Sequence, residues 1–114
     1  MSTLAEIEVE REGGTVVARL NGEVDMTNAS HVRDELLAAV PNDVLALVVD
    51  LDGCRYLDSA AIEVVFDISR RLQRRRQELR LVVPETSPLS RVLVLTDVNS
   101  VAPVHATMEA ALAQ

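Results

Sequence analysis

The sequence predicts an α/β domain in which a mixed β-sheet, made of an N-terminal hairpin and following parallel strands, is packed by about four helices. Three observations carry that expectation. Near the N-terminus apolar residues alternate with polar ones on both sides of a glycine pair, the pattern of a half-solvated hairpin. In the middle, Val44-Leu45-Ala46-Leu47-Val48-Val49 is apolar at every position and too short for an independent helix, as a central parallel strand covered on both faces would be. Around that run, apolar residues recur at three- and four-residue steps, so helices alternate with strands.

In chain order, Ile7 and Val9 alternate with Glu6, Glu8 and Glu10, which places apolar groups on one strand face and carboxylates on the other. Glu12-Gly13-Gly14 supplies a tight turn with positive-φ residues, and Val16, Ala18 and Leu20 alternate in a second, antiparallel strand that ends near Asn21-Gly22. Thr27 and Asn28 are good helix caps, and Val32, Leu36 and Val40 recur behind them, so a helix is expected from about Asn28 to Val40, stopped by Pro41-Asn42-Asp43. The apolar run follows. Ser59 then opens a longer helix whose stripe is Ile62, Val65, Ile68, Ser69 and Leu72 through Arg76. Leu79 to Val83 reads as a strand ended by Pro84, Ser87-Pro88 opens a third helix facing inward with Leu89, Val92 and Leu93, Val101 to Val104 is a short last strand, and Thr107 to Ala113 closes as a helix.

The chain has 114 residues and 48% hydrophobic content, enough to bury a core in one domain spanning residues 1–114 without disulfides or metal. Eighteen acidic side chains outweigh 11 basic ones for a formal charge of −7, and every basic residue is arginine. The absence of lysine removes the P-loop lysine, Schiff-base chemistry and lysine general bases together. A pI near 4.7 and only two aromatic residues, Tyr56 and Phe66, argue against nucleic acid as a partner, since neither phosphate attraction nor base stacking is provided for. The longest apolar run is far short of the ~20 residues a membrane-spanning helix needs, the residues from Met1 to Glu6 form no signal peptide, and Cys54 is the sole cysteine. A cytoplasmic protein without cofactor is the expectation.

Right-handed crossovers place the segments before the first two helices, Gly22 to Thr27 and Cys54 to Ser59, at the same end of the sheet. That edge gathers Glu23, Asp25, Asn28, Asp58 and Ser59, where open α/β sheets usually bind their ligands. The same residues also suit plain helix capping, worth about 1 kcal/mol each.

The residues Val49-Asp50-Leu51 and Tyr56-Leu57-Asp58-Ser59-Ala60-Ala61-Ile62 resemble the signature loop of the STAS family of anti-sigma factor antagonists. Gly22-Glu23-Val24-Asp25 is similar to the family's Gly-Glu-hydrophobic-Asp, and Arg91 to Val98 with Ala110-Ala111-Leu112 is similar to its C-terminal third, so the likeness covers nearly the whole chain. The resemblance implies a STAS-like single domain that is not an enzyme: a regulatory module that binds an anti-sigma factor, itself a serine-protein kinase of histidine-kinase-like fold, and so frees a sigma factor. The implied partner surface is Asp25, Asn28, Asp58, Ser59, Ala60 and Ile62. In the family a serine at the N-terminus of the second helix accepts phosphate, within Asp-Ser-Ser/Thr-Gly-hydrophobic. Here the acceptor position is Ala60 and the glycine is Ala61. Ser59 answers to the family's first serine, is read as the N-cap of the helix, and is the remaining phosphorylation candidate. The alternative is a STAS-like structural subunit of a transporter or signalling scaffold.

Other groups point to less. His31 and His105 have no carboxylate or cysteine at metal-ligand spacing, so no metal site is expected. Cys54 has no redox partner and is read as a packed thiol. Arg70-Arg71 and Arg74-Arg75-Arg76 form either a solvated helix end or a docking patch for an acidic or membrane-associated partner.

Overall fold

A computed structural model describes residues 5–113; Met1 to Leu4, where the sequence was read for a leader, lie outside them, as does Gln114. Six strands form one mixed sheet: β1 (Ala5–Glu12), β2 (Thr15–Val24), β3 (Ala46–Asp50), β4 (Cys54–Leu57), β5 (Glu78–Val82) and β6 (Val104–His105). Four helices pack on it: α1 (Ala29–Ala38), α2 (Ser59–Arg74), α3 (Leu89–Leu95) and α4 (Met108–Leu112), with a 3-10 turn at Val98–Ser100. The strand order is β1-β2-β3-β5-β6, with β4 also paired to β2; β1 and β2 are antiparallel and every other pair is parallel.

The hairpin closes with Glu12 opposite Thr15, leaving Gly13-Gly14 as a two-residue loop. Gly13 alone of the two has positive φ, +60°, as a type II′ turn requires only at its first central residue. β1 is the sheet edge, and there the expected inward face is only partly realised: Ile7 is half-buried while Val9 is 47% exposed, because no helix reaches that far along the edge strand.

β3 is the centre of the sheet, paired to β2 and β5, and its two faces are buried separately. Leu47 and Val49 join Ala18, Leu20, Leu79 and Leu81 under α1, α2 and α3. Val48 joins Val17 and Val82 under Ala111 of α4 on the other face. The strand begins at Ala46 rather than Val44, since Leu45 is 70% exposed and its amide donates to the hairpin carbonyl of Gly14 at 2.8 Å. From α2, Ile62, Ile68 and Leu72 are buried, each adding roughly 2 kcal/mol of apolar burial. The short α4 is tied down by Arg80 of β5, a buried guanidinium that donates to the Ala111 carbonyl at 3.0 Å and pairs with Glu78.

Three further strand features depart from the sequence expectation. β2 does not stop at Asn21-Gly22 but continues to Val24, because Gly22, at φ +112°, shifts the register there and lets the strand leave β3 and pair with β4. β4 lies between the apolar run and the second helix, where the sequence predicts no element; it is four residues long and alternates too briefly to be seen. The last strand is Val104–His105, later than expected, because Val98–Ser100 and the residues after it continue the turn out of α3.

Candidate functional site

The loop from β2 to α1 and the turn from β4 into α2 lie side by side at the carboxyl end of the parallel strands, where β2 and β4 pair through Glu23–Tyr56 and Val24–Leu57. The Asp58 amide donates to the Val24 carbonyl at 3.3 Å, so the turn starts directly from the ladder.

Asp25 organises the first loop. Its Oδ1 accepts from the backbone amide of Thr27 at 2.8 Å and from the Thr27 hydroxyl, and its carbonyl accepts from the amides of Asn28 and Ala29. The two Thr27 bonds, hydroxyl first and amide second, stabilise the ionised form and hold the Asp25 carboxyl below the usual carboxylate range. Asn28 stands at the N-cap position of α1 but does not cap it with its side chain. It closes the loop instead: Oδ1 accepts from the Asp25 amide at 2.9 Å and Nδ2 donates to the Glu23 carbonyl at 3.0 Å.

The cap of α2 is Asp58, not Ser59. Asp58 has extended backbone and its Oδ1 accepts from the Ala61 amide at 3.1 Å, while its carbonyl accepts from the Ile62 amide at 3.0 Å. A Ser59 cap would have needed one of those same two amides for its hydroxyl. Ser59 is therefore the first helical residue, and it is exposed. The other carboxylate oxygen of Asp58 accepts from the Met26 amide of the neighbouring loop at 3.0 Å.

The expected surface is thus distributed as follows. Asp25, Asn28 and Asp58 form the hydrogen-bonded frame, Ser59 and half-buried Ala60 stand at its outer edge, and Ile62 turns inward with 7% exposure, packed into the core beneath. An isoleucine at the fourth helical position of α2 falls on the buried stripe with Ile68 and Leu72, so its side chain supports the turn from beneath. Met26 was not singled out from the sequence, yet it is 78% exposed on this frame. A methionine between two turn-forming residues was the available signal. A groove of about 300 Å³ between α1 and α2 begins here, lined by Met26, Ala29, Ser30, Ala60, Glu63 and Val64 among others. An open cavity of about 640 Å³ lies elsewhere, between α3 and the end of β5.

The remaining candidates take structural places. Cys54 is buried, its Sγ donating to the Tyr56 carbonyl at 3.5 Å, and burial pushes its thiol up. His31 is exposed and sits 3.3 Å from Glu35 one turn along α1, whereas His105 is half-buried in β6. Among the described residues no group of three or more His, Cys, Asp or Glu could hold a metal ion, and no helix is long and apolar enough to cross a membrane.

The chain is similar to known proteins over most of its length. The profile of the STAS domain matches residues 6–111. The chain is 31% identical over 109 residues to BtrV of Bordetella bronchiseptica, provisionally named an anti-sigma factor antagonist, covering 95% of this chain and 92% of that one. It is 28% identical over 115 residues to the anti-sigma-F factor antagonist RsfA of Mycobacterium tuberculosis, covering 98% and 88%. The crystal structure of an anti-sigma factor antagonist from Mycobacterium paratuberculosis superposes with a TM-score of 0.83 at 25% identity, over 96% of this chain and 92% of that one.

Proposed function

Because the chain belongs to the STAS domain family, we propose that it works as an anti-sigma factor antagonist: a non-enzymatic module that binds a kinase-type anti-sigma factor through the joined β2–α1 and β4–α2 turns and so frees a sigma factor. The observation that carries this is the Asp58 carboxylate, which fastens both turns into one surface around Ala60. A preorganised surface loses little entropy when a partner docks.

The family's phosphoacceptor position is occupied by Ala60, which has no hydroxyl. In a switch of this kind a phosphate adds about −1.5 to −2 charges and bulk where the partner must sit. With alanine in its place, the surface stays open to the partner and release is not governed by that position.

The test is binding to a purified kinase-type anti-sigma factor by calorimetry. Ala60→Asp is expected to weaken binding by at least about tenfold, with an unchanged circular dichroism spectrum; unchanged affinity in a folded variant places the interface elsewhere. In a pull-down from native cytosol, recovery of a small histidine-kinase-like ATPase supports the proposal, and recovery of membrane permease subunits in its place supports a structural role in a transporter.

A further inference from the structure

Five arginines fall within seven residues at the C-terminal end of α2, Arg70, Arg71, Arg74, Arg75 and Arg76, on a chain whose formal charge is −7. All five are exposed. Arg70 and Arg71 reach Asp67 at 3.6 and 3.2 Å, whereas among the described residues no ion pair engages Arg74, Arg75 or Arg76. The helix dipole favours cations in the last turn, which accounts for Arg71 and Arg74.

It does not account for Arg76. This residue lies just past the helix with φ +60°. Its amide donates to the Gln73 carbonyl at 3.0 Å and the Gln77 amide donates to the Leu72 carbonyl at 2.9 Å, the paired bonds of a Schellman motif. The left-handed residue of that motif is usually glycine, because a Cβ crowds the backbone there. Arginine therefore keeps a strain that glycine would relieve, and such strain collects where the side chain has a use.

We propose that this end of α2 is a second docking surface, separate from the Ala60 edge, and that its occupant is an acidic segment of a partner protein. Guanidinium forks bind carboxylates in paired hydrogen bonds, a geometry suited to clustered Asp and Glu side chains. An anionic membrane is a poorer fit: within the patch the one aliphatic residue, Leu72, is buried in the core, so nothing is left to enter a bilayer. A chain of charge −7 is also repelled by extended phosphate surfaces, while a short segment touches the patch alone. Since α2 spans 16 residues, its two ends stand about 22 Å apart, and both surfaces can be occupied at once.

The probe is a synthetic peptide of glutamate and aspartate, about a dozen residues long, titrated into the full chain and followed by NMR at about 50 mM and about 300 mM salt, either side of the screening range. Shifts confined to residues 70–77, loss of affinity with salt, and about tenfold weaker binding in Arg74→Gln/Arg75→Gln/Arg76→Gln are expected. Arg76→Gly is the second variant: it should raise Tm by ~3 °C through relief of strain while weakening the peptide about threefold. Shifts elsewhere, or wild-type affinity in the triple variant, overturn the proposal. Tighter binding to phosphatidylserine vesicles than to the peptide also overturns it, and makes the patch a membrane contact. An Arg76→Gly protein that gains no stability, or keeps full affinity, removes Arg76 from the surface and counts against it.

Discussion

The carboxylate of Asp58 accepts the Met26 amide, 32 positions earlier in the chain, at 3.0 Å through one oxygen while its other oxygen caps α2 through Ala61 at 3.1 Å. A single side chain thereby holds a helix start and a neighbouring loop in fixed relation. Neither half of that arrangement is unusual alone; their union in one residue makes the β2–α1 loop rigid relative to α2.

Removing it has a measurable cost. Asp58→Ala loses the cap and leaves the Met26 amide to water, so unfolding free energy should fall by about 1–2 kcal/mol in urea titrations. Asp58→Asn keeps one acceptor oxygen and should lose less. A loss no greater than a few tenths of a kcal/mol in Asp58→Ala would mean that the two turns are held by the β2–β4 ladder alone.

Acid should loosen the same frame. The Thr27 hydroxyl and amide lower the Asp25 pKa in the folded state, so the stabilisation is present above the ordinary carboxylate pKa and is lost as pH falls through the lower, folded value. Asp25→Asn retains an acceptor oxygen but cannot titrate. Its urea midpoint should decline less steeply than that of the wild type below about pH 4, where unperturbed carboxylates protonate, and parallel declines would remove Asp25 from the acid response.

Restoring a hydroxyl tests the phosphoacceptor register. Ala60→Ser should take up one phosphate per chain from a family-type kinase and ATP, read by intact mass, whereas the wild-type chain should take up none. Ser59 is exposed and free of the capping role, yet one helical step turns its side chain about 100° from that of residue 60. A stoichiometric phosphate on wild-type Ser59 would show that the kinase accepts the shifted position.

Much of this architecture is visible in the sequence because burial has a period. Ala46 to Val49, within the apolar run that begins at Val44, are buried on both faces of the central strand, and the α2 stripe from Ile62 to Leu72 marks its inner face plainly. Four-residue β4 offers too few positions for any period to emerge, and Gly22 reads equally as a strand end or as a bulge until its partners are known. The sequence reading puts the cap of α2 at Ser59, one residue late, for a different reason. Asp58 and Ser59 are both good capping residues, and only the backbone, extended at Asp58 and helical at Ser59, decides between them. That Ile62 faces the core could have been read from its own stripe. The turn-forming neighbours of Met26 mark it as a loop methionine, but they do not fix its exposure, which is set by what packs nearby.

The register shift at Gly22 divides the working life of β2 between two neighbours, Thr15 to Arg19 with β3 and Gly22 to Val24 with β4. The two ladders differ in depth. Where β2 pairs with β3 it is laced into the buried centre, and its amides are expected to exchange with solvent only on global unfolding. The shorter ladder, a few residues long, carries the β2–α1 and β4–α2 turns, and its opening should leave the centre closed. A change of sequence in the turns therefore strains that small ladder alone and leaves the central pairing of β2 with β3 in place.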